Sequence, residues 1–456
     1  MRPFTLAEAA RAVGAEVRPD MERILVLSVE HDTRRLAAGA LFFAIEGERV
    51  DGHSFVPTAF ERGAAGAVVT SPIPGAGPCL VVEDTVAALG QLSRWYLGTL
   101  TADSVAVTGS VGKTTTREMI GLILDRVGAA VVAESNFNTE IGVPQTVFRA
   151  GDGTDFVVLE FAMRGAGQIR QLAEAAPVRV GAITNIGVTH SELVGGRHQV
   201  AAAKAEMLPL LPANGVAVLP AEDDFFEFLA GQASCPVLSF GHARGDVQIR
   251  YGAGGRGANA DVPITLVVEG EEHSGSLRCV GDHYAQDAAC AAAVARAMGV
   301  SPQAILRGLA RFEPLPGRGR IVRSPAGLVV IDDTYNACPD SMVAALRVLA
   351  GRPGRRFAVL GDMLELGAFS EEGHRQVGTE VARLGIDELV AVGERAGGII
   401  EGAVAAGFDA VRAFNVGDAP AALEYVRQLV APSDSVLVKA SRGMRTEAIV
   451  EGLMEG

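Results

Sequence analysis

Short apolar runs alternate with amphipathic stretches along most of the chain, and that alternation predicts strands and helices in regular succession. An alanine-rich stretch from Thr5 to Val13 has helical spacing, and brief strands are expected at Ile24–Val29, Leu41–Ile45, Ala67–Thr70 and Leu80–Val82. Ser71–Pro78 is a turn-rich break, and a helix over Thr85–Leu97 leads into a second series. Its strands are expected at Val131–Ala133, Phe156–Phe161, Val180–Ile186, Val216–Pro220 and Val237–Phe240. The Gly-rich run Tyr251–Ala260, with Val262–Val268 and Ser274–Val280, reads as hairpin material inserted in that order, before a long alanine helix, Ala285–Met298. Phe312–Arg320, rich in proline and glycine, reads as a linker. Beyond it, strands are expected at Leu328–Asp332, Phe357–Leu360, Glu388–Val392, Val411–Phe414 and Ser435–Val438. The pattern divides the chain at 1–83, 84–312 and 313–456, three α/β blocks of which the middle one carries a parallel sheet with helices on both faces.

Composition narrows the class without naming a function. With 456 residues, the chain is too long for one ordinary core; 48% hydrophobic and 21% charged residues fit a globular protein rather than a disordered one. Aromatics are only 5% and glycines number 55, so the cores should be aliphatic with close helix-on-sheet packing. A net charge of −14 excludes a general nucleic-acid binder, which needs a basic face. The five cysteines are widely spaced and form no metal-ligand pair, which predicts reduced thiols in the cytoplasm. Neither a signal-peptide pattern nor an apolar run of about 18 residues is found, so no membrane span is expected.

The run Val105–Thr116 is the most informative segment. A strand-like stretch enters a glycine turn, and Lys113-Thr114-Thr115 opens a helical pattern through Arg126. Glycines let backbone N–H groups converge on phosphate, the helix N-terminus favours negative charge, and Lys113 adds a point charge. Thr114 stands where a P-loop hydroxyl holds magnesium. The common P-loop has a glycine where this chain has Val107, so the loop here is the shorter Thr108-Gly109-Ser110-Val111-Gly112-Lys113-Thr114-Thr115. A nucleoside triphosphate is the expected ligand.

Other residues admit two readings each. Glu160 ends an apolar strand and is either a magnesium ligand at the sheet's carboxyl edge or a cap for the next turn. His190 follows another strand and is either a second metal ligand or an ordinary histidine, while Lys204, in an alanine helix, reads by itself as a solvated lysine. Asn136–Pro144 and Asp332–Met342 each either cap a helix, with Asp340 or Ser341 as N-cap in the second, or line a ligand crevice. Two such crevices in separate blocks suggest ATP clamped between them, as group transfer through a water-sensitive intermediate requires.

Taken together these motifs resemble the Mur ligases, ATP-dependent enzymes that add amino acids to a UDP-sugar carboxylate. The shortened loop at Thr108–Thr115 is similar to theirs, and Asp32-Thr33-Arg34, Leu41–Ala44 and Asp51-Gly52-His53 resemble the UDP-sugar-binding first domain of the last two ligases in the series. Asn136–Pro144, Asn336–Met342 and Leu360–Gly367 resemble the branch that adds D-alanyl-D-alanine, and the Asp-Asn-Pro-Arg signature of the diaminoacid-adding branch is absent. The resemblance implies a Rossmann-like third domain and transfer of the γ-phosphate of ATP to UDP-MurNAc-tripeptide, followed by attack of D-Ala-D-Ala. It implies Lys113 on the transferring phosphoryl group, Thr114 and Glu160 on Mg2+, and His190 with a carbamylated Lys204 on a second Mg2+. Asn138, Arg318 and Asn336 are implied on the nucleotide, and a cytoplasmic monomer acting on small molecules is expected. Two departures stand out: Tyr284 and Asp287 replace asparagines of a family Gly-x-His-Asn-x-x-Asn pattern, and Cys338 replaces another. The rival readings are a diaminoacid-adding or folate polyglutamate-type ligase, and a non-catalytic module that ATP closes around a partner.

Overall fold

A computed structural model of the chain describes residues 1–47, 49–134, 136–187, 195–252 and 261–455. Three larger sheets follow one another along it. The first has four parallel strands, Ser28–Glu30, Ala40–Phe43, Gly66–Val69 and Cys79–Val81, in sequence order. The central sheet has nine strands; Asp103–Thr108 lies inside it, flanked in parallel by Phe156–Glu160 and Val180–Ile183. The third has six strands, with Val329–Asp333 and Arg356–Gly361 on either side of Ser435–Lys439.

Each face of the central sheet is covered. The helices Lys113–Leu124, Asp282–Ala297 and Pro302–Leu309 pack together on one face, where Ile120, Ile123, Ala289 and Ile305 share a core. On the other face, Thr85–Gly98, Gly142–Arg149 and Gln168–Ala175 pack together, and their core runs without a break into the N-terminal helix Leu6–Ala12. Thr5 caps that helix, with Glu8 returning a bond to the Thr5 N–H at 2.7 Å. Helix Thr85–Gly98 joins the two parts: the Trp95 ring meets Phe4 edge-on at 5.3 Å, and the buried Tyr96 hydroxyl donates to Ala150 O at 2.6 Å.

Several sequence expectations need correction. The central sheet is not wholly parallel: the expected hairpin is present as Val262–Val268 and Glu271–Leu277, antiparallel to each other, and it extends the sheet's edge with Val262–Val268 antiparallel to Val247–Tyr251. The expected strand Ile24–Val29 divides at the half-exposed Leu27 into Leu25–Val26 and Ser28–Glu30, which join different sheets. Arg320, read as the end of the linker, begins an antiparallel edge strand, Arg320–Arg323. Val180–Ile183 stops three residues short of Ile186, and the strand expected at Val411 begins at Ala413 after a short 3-10 turn. The Gly-rich residues 253–260 lie outside the described residues.

Candidate functional site

The carboxyl ends of Asp103–Thr108, Phe156–Glu160 and Val180–Ile183 meet at one edge of the central sheet, and the loop 109–112 lies across them. Gly112 is left-handed (φ +83°) and turns the chain into the helix that starts at Lys113. The loop is held from beneath by residues that sequence reasoning passed over. Thr184 Oγ1 donates to Val111 O at 2.6 Å, Val111 N donates to the Asn185 side chain at 3.1 Å, and Gly187 N donates to Ser110 Oγ at 2.8 Å. The signal was the polar pair Thr184-Asn185 ending an apolar strand.

Two lysines converge on one carbonyl. Lys113 Nζ donates to Gly109 O at 2.8 Å and Ser110 O at 3.1 Å, and Lys204 Nζ donates to Gly109 O at 2.9 Å. Lys204 is only 2% exposed, so the solvated reading is wrong. It shares a helix face with Val200 and Ala201, both buried. Burial pushes the Lys113 ammonium below its ordinary pKa, with Glu160 opposing that shift. Burial and the neighbouring Lys113 charge push Lys204 much further down.

Glu160 is 2% exposed and fully engaged. Its carboxylate accepts from Thr114 Oγ1 at 2.9 Å, Asn138 Nδ2 at 2.9 Å and the buried Arg117 at 3.1 Å. The turn-cap reading fails, since none of these partners belongs to the turn that follows. A hydroxyl and a carboxylate beside a phosphate cradle are hard oxygen donors of the kind magnesium takes, and magnesium commonly keeps waters and substrate phosphates as its other ligands. His190 lies outside the described residues.

The cradle opens into a cavity of about 740 Å³ whose far wall belongs to the third sheet. Thr114, Asn138 and Glu160 face Arg318, Asn336 and Lys439 across it. The Arg318 guanidinium lies over the Tyr335 ring at 3.9 Å, and Arg442 approaches the same ring at 5.0 Å. Lys439, another residue missed from sequence, is buried, pairs with Asp333 at 2.7 Å and donates to Asn336 O at 2.9 Å. It thereby fixes the Asn336 loop. The following helix, Pro339–Ala350, is capped by Cys338, not by Asp340 or Ser341. Ser341 sits three residues on and accepts from Cys338 N at 3.0 Å.

The two departures in the helix Asp282–Ala297 also line this cavity. Tyr284 Oη donates to Arg318 O at 2.6 Å, tying the helix to the linker. Asp287 is buried against the loop, where a Cβ added to Gly112 would lie 2.1 Å from Asp287 Oδ1. Burial pushes its carboxyl up to about 8. His283, stacked on Tyr284 with ring centres 4.3 Å apart, is pushed down to about 4 by the same cause.

The remaining expected residues do not reach this cavity. Asp32 turns back on Arg34, accepting from its backbone and guanidinium, and those bonds hold its carboxyl down at about 2. Asp51 accepts from His53 Nδ1 at 2.7 Å, and His53 Nε2 accepts from Thr70 N at 2.9 Å, so this loop is locked to the end of Gly66–Val69. Gly52 sits so close to Ile45 that an added Cβ would stand 2.5 Å from its carbonyl oxygen. Thr33 is half-buried and Arg34 exposed in the turn between Ser28–Glu30 and Ala40–Phe43.

Residues 107–295 match the Mur ligase middle domain, 317–442 the Mur ligase glutamate ligase domain, and 26–92 the Mur ligase family catalytic domain. The chain belongs to the Mur ligase family. This Mur ligase is 35% identical to a UDP-N-acetylmuramoyl-tripeptide--D-alanyl-D-alanine ligase of Synechocystis sp., over 95% of this chain and 93% of that one. Its fold superposes on MurF from Acinetobacter baumannii with a TM-score of 0.91 at 31% identity, covering all of both chains. It is also similar to a MurF ligase from Thermotoga maritima solved in complex with ADP, at a TM-score of 0.84 and 27% identity over 94% of this chain and 97% of that one. The three-domain α/β architecture expected from sequence is thus the architecture of this family.

Proposed function

We propose that this Mur ligase joins D-alanyl-D-alanine to UDP-N-acetylmuramoyl-tripeptide, converting ATP to ADP and phosphate. One observation carries the reading: the loop cradle and the Arg318–Asn336–Lys439 wall face each other across a single cavity, in a chain whose full-length relatives bear that activity's name. A carboxylate oxygen of the tripeptide attacks the γ-phosphorus and ADP leaves. The dipeptide amine then attacks the acyl carbon, the bond to phosphate breaks, and a proton is released with the amide.

In this scheme the N–H groups of Thr108–Thr115 and the Lys113 ammonium hold charge on the phosphoryl oxygens. Thr114 and Glu160 would hold magnesium, whose charge would offset the negative charge of the transferring phosphoryl group. His190 and a carbamate on Lys204 would serve a second ion; burial and the Lys113 charge, which lower the Lys204 pKa, favour the uncharged amine that carbamylation needs. Asn138 orients Glu160, while Arg318 and Asn336 meet the nucleotide from the third domain. Residues 1–83, with Asp32, Thr33, Arg34, Asp51, Gly52 and His53, would hold the UDP-sugar, 84–312 the ATP, and 313–456 would close over both. The protein would act as a cytoplasmic monomer.

Phosphate release from purified enzyme, ATP and UDP-MurNAc-tripeptide tests the proposal. It should require D-Ala-D-Ala and fail with diaminopimelate, lysine or glutamate. Release driven by one of those amino acids instead would select the diaminoacid-adding or folate polyglutamate-type reading. No ADP with every substrate present would select the binding module.

A further inference from the structure

A buried polar atom without a hydrogen-bond partner has lost its hydration and gained nothing for it, unless a ligand or water completes it. Among the described residues, Gln286 Oε1 is the only such side-chain atom on a residue lining the nucleotide cavity. Nε2 of the same amide makes no hydrogen bond among the described residues either. In the reaction as set out above, no residue chooses the base.

The surroundings of this amide are firmly built. Thr114 and Glu160 mark the end of the cradle where magnesium and the γ-phosphate belong. From there the loop leads back to Gly112, which lies against Asp287, the neighbour of Gln286 in the helix Asp282–Ala297. The linker crosses the start of that helix. Tyr284 Oη donates to Arg318 O at 2.6 Å, and a Cβ added to Gly319 would stand 2.6 Å from the same hydroxyl. Gly317 N donates to Asp332 Oδ2 at 2.8 Å and Tyr335 N donates to Gly317 O at 2.9 Å, so the third sheet holds the linker in turn. Gln286, Arg318 and Tyr335 thus wall one cavity from two domains.

A carboxamide carries an acceptor and a donor side by side. Adenine offers the complementary pair, a 6-amino donor next to a ring-nitrogen acceptor, and glutamine pairs with that edge through two hydrogen bonds. We infer that a nucleotide with its phosphates on the loop turns its base to this wall, and that Gln286 selects a 6-aminopurine there. Oε1 accepts from the amino group, and Nε2 donates to the ring nitrogen beside it. The half-buried side chain has no bond to break in turning to the ligand. A purine without the amino group forfeits one bond and leaves Oε1 unpaired. The assignment rests on the reading of this cavity as the ATP site and adds the residue that chooses the base.

Titration calorimetry of the intact protein with magnesium and either ATP or the triphosphate of unsubstituted purine riboside, which lacks the 6-amino group, tests this without the other substrates. One hydrogen bond to an otherwise unpaired acceptor predicts that wild type prefers ATP by about 3- to 10-fold in Kd. Gln286→Leu and Gln286→Ala, which cannot make that bond, should each bind the two triphosphates within about twofold of one another. Equal Kd values for wild type overturn the assignment of Gln286 and leave the ATP reading standing; so does a preference that survives in either variant. Failure of wild type to bind either triphosphate overturns both.

Discussion

Asp287 keeps an acid group against a phosphate-binding turn, where a second negative charge would be unwelcome. Its folded carboxyl holds a proton up to about pH 8, whereas the ordinary value is 3.8. Between those limits folding takes up a proton, so this residue's contribution to stability falls as pH rises through the window and levels off above it. Asp287→Asn keeps the shape without the cost. The stability gained over wild type in urea unfolding should be absent near pH 4 and grow toward pH 8, at no more than about 1.4 kcal/mol per pH unit. A gap that stays flat with pH would show the carboxyl to be ionised in the fold. Lys204 supports a second residue-scale prediction. Lys204→Ala should abolish phosphate release, a short carboxylate should restore part of it, and the intact wild-type protein should carry the mass of one carbon dioxide on Lys204. Loss of activity without rescue would count against the carbamate. That Lys204 is buried could have been read from its i−4 and i−3 neighbours, Val200 and Ala201. The pinning of Asn336 by Lys439 could not, because the two lie 103 positions apart and meet only across the sheet.

Elements followed the apolar pattern closely where they are buried on both sides. Val216–Pro220 and Glu388–Val392 have the bounds their apolar runs predict, since each forms an interior strand of its sheet. Edges were harder to read. Arg320–Arg323 buries no residue fully, so nothing in its composition separates it from a linker. Helices Ser370–Arg383 and Gly397–Ala405 approach through two glycines that no periodicity flags. A Cβ on Gly378 would lie 1.9 Å from Ile399 O, and one on Gly402 would lie 2.1 Å from Arg375 O. These contacts set the spacing of the helices that carry His374 and Ile399. Gly378→Ala forces the backbones apart and should cost about 1–3 kcal/mol in urea unfolding. A loss under about 0.5 kcal/mol would mean that the pair separates freely.

At the scale of the whole chain, cores and sheets do not divide alike. One apolar cluster runs from Phe4 through Tyr96 and Phe148 to Leu229, joining the N-terminal helix to a face of the central sheet. The third sheet has cores of its own on both faces, built from residues such as Leu346, Leu360, Val390 and Val438. Its meeting with the central sheet surrounds the nucleotide cavity, with contacts such as Tyr284 to Arg318 O and Asp340 beside Gly187. Calorimetry of the nucleotide-free protein should therefore show two transitions, residues 1–312 unfolding together and the third sheet separately. ATP or a non-hydrolysable analogue changes that coupling. A ligand touching both walls is lost when either side unfolds, so each transition carries its binding free energy, about 2.7 kcal/mol at a hundred times Kd. Both transitions should move upward with nucleotide and draw together. A shift confined to the central transition would show that Arg318 and Asn336 do not hold the ligand, and a third nucleotide-free transition would show that the shared core at Tyr96 does not bind the first sheet to the second.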